Sequence, residues 1–184
     1  MFRQGDFVAT DNPLDVVIEG AGFFQVTLPT GEQAYTRAGS FHLDRDGNLV
    51  TSNGDPIEPN IVIQRDALDV TIGGDGTVSY TVPGQNQATQ AGIIQLAGFQ
   101  NPAGLKALGS NLFQPTEASG DPILGQPGGQ DGLGRLRQGM LENSNVSVVE
   151  EFIQMIMSQR AYEANARVVR TADEMYREAN SLSQ

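Results

Sequence analysis

Apolar positions follow two different rhythms along this chain. Up to about residue 100 they come in short groups, such as Val16-Val17-Ile18 and Phe23-Phe24-Gln25-Val26, each closed by glycine, proline or aspartate. That spacing predicts strands joined by tight turns. The pattern places them near Val16–Ile18, Phe23–Leu28, Gln33–Thr36, Ser40–Leu43, Leu49–Thr51, Ile61–Ile63, Val70–Ile72, Val78–Thr81 and Ile93–Phe99. Pro29-Thr30-Gly31, Asp46-Gly47, Asn53-Gly54 and Asp75-Gly76 supply residues that tolerate positive φ, where the chain reverses at little cost. The body is therefore expected to be mostly antiparallel β.

The second rhythm begins after Ser144-Asn145-Val146-Ser147 and continues to the last residues without glycine or proline. Val149, Ile153, Met157, Ala161, Ala164, Val168, Ala172, Met175, Ala179 and Leu182 recur in steps of three or four, which is one stripe of a helix. Ser147 and Glu150 have the spacing of a capping box at its start. A helix over 148–182 spans on the order of 50 Å, more than a small domain buries. The stripe is thus expected to meet another helix, with Val149, Ile153, Met157, Ala161, Ala164, Val168, Met175 and Leu182 as the interface. The alanines permit close approach.

Between the two regimes, from Gln114 to Gly134, the chain turns to Pro, Gly, Ser and Asp. The expected organisation is a β-rich domain over 1–113, a connector over 114–145 that returns toward the helical layer, and a coiled-coil-type helix over 146–184.

Composition narrows the function. The 184 residues carry 22 acidic against 11 basic side chains, a formal charge of −11, with the basic ones scattered. Nucleic acid is a poor partner for such a surface. No apolar run of membrane-spanning length and no Sec-type leader is visible, so membrane insertion is not expected. Cysteine is absent, which removes disulfides, thiolate metal sites and cysteine nucleophiles.

Candidate chemistry is thin. Asp44-Arg45-Asp46-Gly47-Asn48 has its glycine in the wrong place for a calcium loop and reads as a hairpin turn. Gly73-Gly74-Asp75-Gly76 lacks a phosphate-binding fingerprint and repeats the same Asp-Gly turn chemistry. His42 is the only histidine, so a multi-histidine metal site is impossible. Alternation places it on the outer side of its strand, opposite Phe41 and Leu43. No catalytic, cofactor or metal residues are assigned. Along the helix, Glu163→Arg167 and Asp173→Arg177 are i,i+4 pairs that serve either as a solvated face or as register charges.

Ser144-Asn145-Val146-Ser147-Val148-Val149-Glu150-Glu151-Phe152-Ile153-Gln154-Met155-Ile156, followed by Gln159-Arg160-Ala161-Tyr162-Glu163-Ala164-Asn165, resembles the C-terminal motif of the bacterial flagellar rod and hook protein family. Asn12-Pro13-Leu14-Asp15-Val16-Val17-Ile18-Glu19-Gly20, with Tyr35-Thr36-Arg37-Ala38-Gly39-Ser40-Phe41, is similar to the start of that family's β-rich middle domain. Val149-Glu150-Glu151 and Gln159-Arg160-Ala161-Tyr162-Glu163 look closest to its distal-rod branch. The resemblance implies a non-catalytic axial subunit of the basal body. Such a subunit polymerises with its own copies into the periplasmic drive shaft that carries torque to the hook. It also implies export by the flagellar type III apparatus and contacts with other rod, hook and bushing-ring proteins. Family members begin with a long helix that pairs with the C-terminal one; this sequence opens already inside the middle region. The alternatives are a proximal rod or hook subunit, a cell-wall glycan hydrolase using two of the many acids, and a soluble module whose helix docks on one partner.

Overall fold

The computed structural model describes residues 4–85, 87–129, 132–143 and 148–181. It is mainly antiparallel β with one C-terminal helix. In chain order the strands are β1 (Phe7–Ala9), β2 (Val16–Glu19), β3 (Phe23–Thr27), β4 (Gln33–Thr36), β5 (Phe41–Leu43), β6 (Leu49–Thr51), β7 (Ile57–Glu58) and β8 (Asp69–Ile72). They continue as β9 (Thr77–Thr81), β10 (Thr89–Ile93), β11 (Leu96–Gly98), β12 (Lys106–Gly109), β13 (Leu112–Gln114), β14 (Ile123–Gly125), β15 (Arg135–Gln138) and β16 (Met140–Glu142). The helix, α1, runs Val148–Ser181. Residues 1–144 form one compact unit and 145–184 another.

The largest sheet has the order β12-β13-β4-β3-β11-β14, with β7 also paired to β3. A meander β8-β9-β10, the hairpin β5-β6 and the pairs β2-β15 and β1-β16 complete the body. Strand β3 shows why the body holds together. Its consecutive aromatics point to opposite faces, and both faces are covered. Phe24 joins the main core with Val16, Ile18, Phe41, Leu49, Ile57 and Leu96, meeting Phe41 edge-on at 5.0 Å between ring centres. Phe23 joins a smaller cluster with Tyr35 and Ala97, edge-on to Phe99 and Phe113.

Seven of the nine expected strands are present with small shifts of boundary. Residues Ile61–Ile63 differ: Ile61 and Ile63 are fully buried and Val62 is about half exposed, so the alternation is right, but no strand forms. Their backbone bonds go to a turn instead, Leu49 N–H donating to the Ile61 carbonyl and Ile63 N–H to that of Gly47. The expected strand Ile93–Phe99 is split, because the chain leaves the meander at Ile93 and enters the large sheet at Leu96. At that corner Ile94 N–H donates to the Gly76 carbonyl. The stretch 114–145, expected as a connector, carries three strands of the body. There β14 pairs β11, β15 pairs β2 and β16 pairs β1. Its glycines and prolines mark the turns between short strands, and edge positions need few apolar residues.

The two Asp-Gly turns are built alike. Gly47 and Gly76 both have positive φ, and each offers its carbonyl to a buried isoleucine N–H, Ile63 and Ile94 respectively. In the first turn Asp44 accepts from the Asn48 side chain and from the Asp46 and Asn48 backbone N–H groups. These bonds, led by that of Asn48, hold the Asp44 carboxyl below its ordinary pKa. In the second, Asp75 is lowered likewise by the Thr77 N–H and hydroxyl. Both carboxylates are spent on turn geometry, and the glycine at position four, not six, is what the hairpin requires.

Candidate assembly surface

The candidate site is α1 itself. Among the described residues there is no group of three or more metal-ligating side chains, and no helix long and apolar enough to cross a membrane. His42 is exposed on β5 next to buried Phe41, and Leu43 is 36% exposed.

Of the eight expected interface residues, six have described side chains. Ile153, Met157, Ala161, Ala164, Val168 and Met175 are all exposed, Met157 and Val168 at 68% and Met175 at 67%. Val149 lies within α1, as does Glu150 of the expected cap, but neither side chain is among those described; Ser147 and Leu182 lie outside the described residues. The small side chains of Ala164 and Ala172 leave a shallow trough along the stripe, bordered by Arg160, Arg167 and Met175.

The sequence pattern missed further apolar groups outside the stripe. Phe152, Met155, Tyr162 and Val169 are exposed at 55–77%. At about 100° per residue they lie on the side of the helix away from the first stripe, interspersed with Gln159, Arg170 and Arg177. Glu163 and Arg167 lie between the two sets on one side, with exposed Ile156 between them; Ser158 and Asn165 lie on the other. Apolar groups scattered among polar ones give no periodic signal of their own. Leaving so many large apolar groups in water is costly. Glu163 and Arg167, expected as an i,i+4 pair, do not come within ion-pair distance; among the described residues the one ion pair is Arg37–Glu142. An exposed pair gains little in water.

In the body, burial of Tyr35 raises the pKa of its phenol, and its ring meets Phe99 edge-on at 4.9 Å. This is packing chemistry in the smaller core.

Comparison with known proteins finds relatives for both the β body and the terminal helix. Residues 17–80 match the flagellar hook protein FlgE/F/G D1 domain, and residues 137–182 match the C-terminal domain of flagellar basal body rod FlgEFG proteins. The chain is 48% identical to the flagellar basal-body rod protein FlgG of Buchnera aphidicola subsp. Schizaphis graminum, the alignment covering 99% of this chain and 70% of that protein. It is 46% identical to FlgG of Borreliella burgdorferi over 100% of this chain and 70% of the relative. The flagellar hook protein FlgE of Salmonella typhimurium is more distant, 33% identical over 86% of this chain and 40% of its own length. The chain belongs to the flagellar basal-body rod protein family.

Proposed function

We propose that this chain is a subunit of the distal rod, that it assembles with copies of itself into a helical shaft carrying torque to the hook, and that it has no catalytic role. The observation that carries the reading is the apolar stripe of α1, exposed at Ile153, Met157, Ala161, Ala164, Val168 and Met175, with further large apolar groups exposed at Phe152, Met155, Tyr162 and Val169. A helix that leaves this much apolar surface in water calls for neighbours that cover it. A tube of packed helices supplies them. A heterologous contact that does not close on itself repeats into a filament. Identity to proteins named FlgG supports the distal rod over the hook. The same kinship supports contacts with other rod, hook and bushing-ring proteins, a periplasmic position and export by the flagellar type III route.

The test is light scattering across a concentration series, with and without a peptide carrying the N-terminal helix that the family resemblance implies. Growth into long assemblies that depends on the peptide is expected. A particle of fixed size under both conditions, despite peptide binding, would overturn self-assembly and leave a module that docks on one partner.

A further inference from the structure

The strands nearest the two ends of the β body are each other's partners. β1 and β16 pair antiparallel, with Phe7 opposite Glu142 and Ala9 opposite Met140. Residues 4–6 before β1 and Asn143 after β16 therefore lie side by side, with Asn143 N–H donating to the Asp6 carbonyl. Yet this ribbon has little to hold it. None of its residues belongs to either apolar core, Val8 is 47% exposed, and an isolated two-stranded ribbon is marginal in water.

What holds it is polar: Gly139 N–H, at the turn into β16, donates to the Asp15 carbonyl, and at the other end of the ribbon the bonds gather around Arg37, just after β4. Arg37 Nε donates to Glu142 Oε2 at 3.1 Å, and the pair is largely shielded, at 21% and 14% side-chain exposure. The guanidinium also donates to the carbonyls of Ile18, Gly20 and Gly22, at 3.2–3.4 Å. These lie at the end of β2 and in the turn into β3. The other oxygen of Glu142, Oε1, accepts from Gly5 N–H at 2.9 Å. Gln4 Nε2 donates to the Ile18 carbonyl, and Asn143 N–H to that of Asp6. A single guanidinium thus bridges the rigid β2–β3 corner to the carboxylate that ties both ends of the ribbon together. The planar fork of arginine suits this; an ammonium could not serve four acceptors in one plane.

We propose that Arg37 and Glu142 form a latch, which holds the β1–β16 ribbon to the body, and that the ribbon opens as a separate unit when the latch is broken. Arg37 is a positioning residue in this scheme. The inference does not depend on the assembly reading, because it concerns local opening within residues 4–143.

Hydrogen–deuterium exchange of the whole chain at low concentration tests it, comparing Arg37→Met, Glu142→Gln and the double variant. Glu142→Gln retains an oxygen to accept from Gly5 while removing the charge that faces Arg37. Expected is an acceleration of roughly tenfold or more at Phe7–Ala9 and Met140–Glu142 in each single variant, the size associated with losing a charge-assisted hydrogen bond. Val16–Ile18 and Phe23–Val26 should keep their protection. The double variant should open no faster than Arg37→Met alone, since each change removes the same link. Unchanged protection of the ribbon overturns the proposal. So does a loss shared equally by the core strands, which would make Arg37 an ordinary contributor to global stability. Should Arg37→Met unfold the body, Glu142→Gln decides by the same criteria.

Discussion

Replacing Val168 by aspartate separates what the folded chain uses from what an assembly uses. Val168 is 68% exposed, so its removal takes almost nothing from either core, and the β body should melt as before. In an assembly the site is covered. Losing the burial of the exposed part of a valine removes about 1–2 kcal/mol. Placing an unpaired carboxylate in the same contact costs several kcal/mol more. A combined loss above about 4 kcal/mol weakens each helix contact by roughly a thousandfold or more. The control is Asn165→Asp, which adds the same charge on the neutral polar arc one turn away, with hardly a change of shape. Thermal melting of the body, and light scattering across a concentration series with the N-terminal-helix peptide added, are the two readouts. Expected are unchanged melting for both variants, loss of growth for Val168→Asp, and growth retained for Asn165→Asp. Normal growth of Val168→Asp refutes the stripe as an interface. Equal loss in both variants would show that net charge is what matters, and would refute it as well.

Other expectations concern the body. Gly47→Ala places a side chain at positive φ, where its Cβ would overlap the Ile63 carbonyl oxygen; a destabilisation of about 2 kcal/mol or more, seen as a lowered melting temperature, is expected. Gln138 donates to the carbonyls of Pro13 and Val70 and accepts from Ile72 N–H, so Gln138→Leu should cost about 1–3 kcal/mol in urea unfolding by orphaning those groups; a neutral result would mean water replaces the amide. Because the Tyr35 pKa is raised on folding, the unfolded chain ionises first. Stability is then full below about pH 10 and falls as pH rises through the folded value, and Tyr35→Phe should flatten that alkaline limb. For Asp44 and Asp75 the sign is reversed. Their folded pKa values are lowered, so their contribution is present above about pH 4 and fades as pH falls through the folded values; Asp44→Asn should reduce the acid sensitivity of melting.

What could be read in advance depended on how far apart the determining contacts lie in sequence. Hairpins such as β5–β6 and β8–β9 are set by Asp-Gly turns and by neighbours a few residues away, so local chemistry predicted them. β15 and β16 owe their existence to partners more than a hundred residues distant, Val16–Glu19 and Phe7–Ala9. A segment such as Arg135-Leu136-Arg137-Gln138 carries only one core side chain, Leu136, and offers no pattern from which to find that partner. Arg37 was likewise invisible as a clasp, since an arginine in a turn-rich segment gives no sign of a carboxylate 105 residues away.

The helix was legible for the opposite reason: nothing but its own periodicity determines it. The apolar groups outside the stripe escaped because polar residues are interspersed among them. Adjacent Val168 and Val169 point about 100° apart, and both are more than 60% exposed. A single apolar stripe is itself about 100° wide or more, so the pair fits one broad docking surface. What argues for a packed layer of helices is the exposure: large apolar groups from Phe152 to Met175 stand in water, and neighbouring helices would cover them.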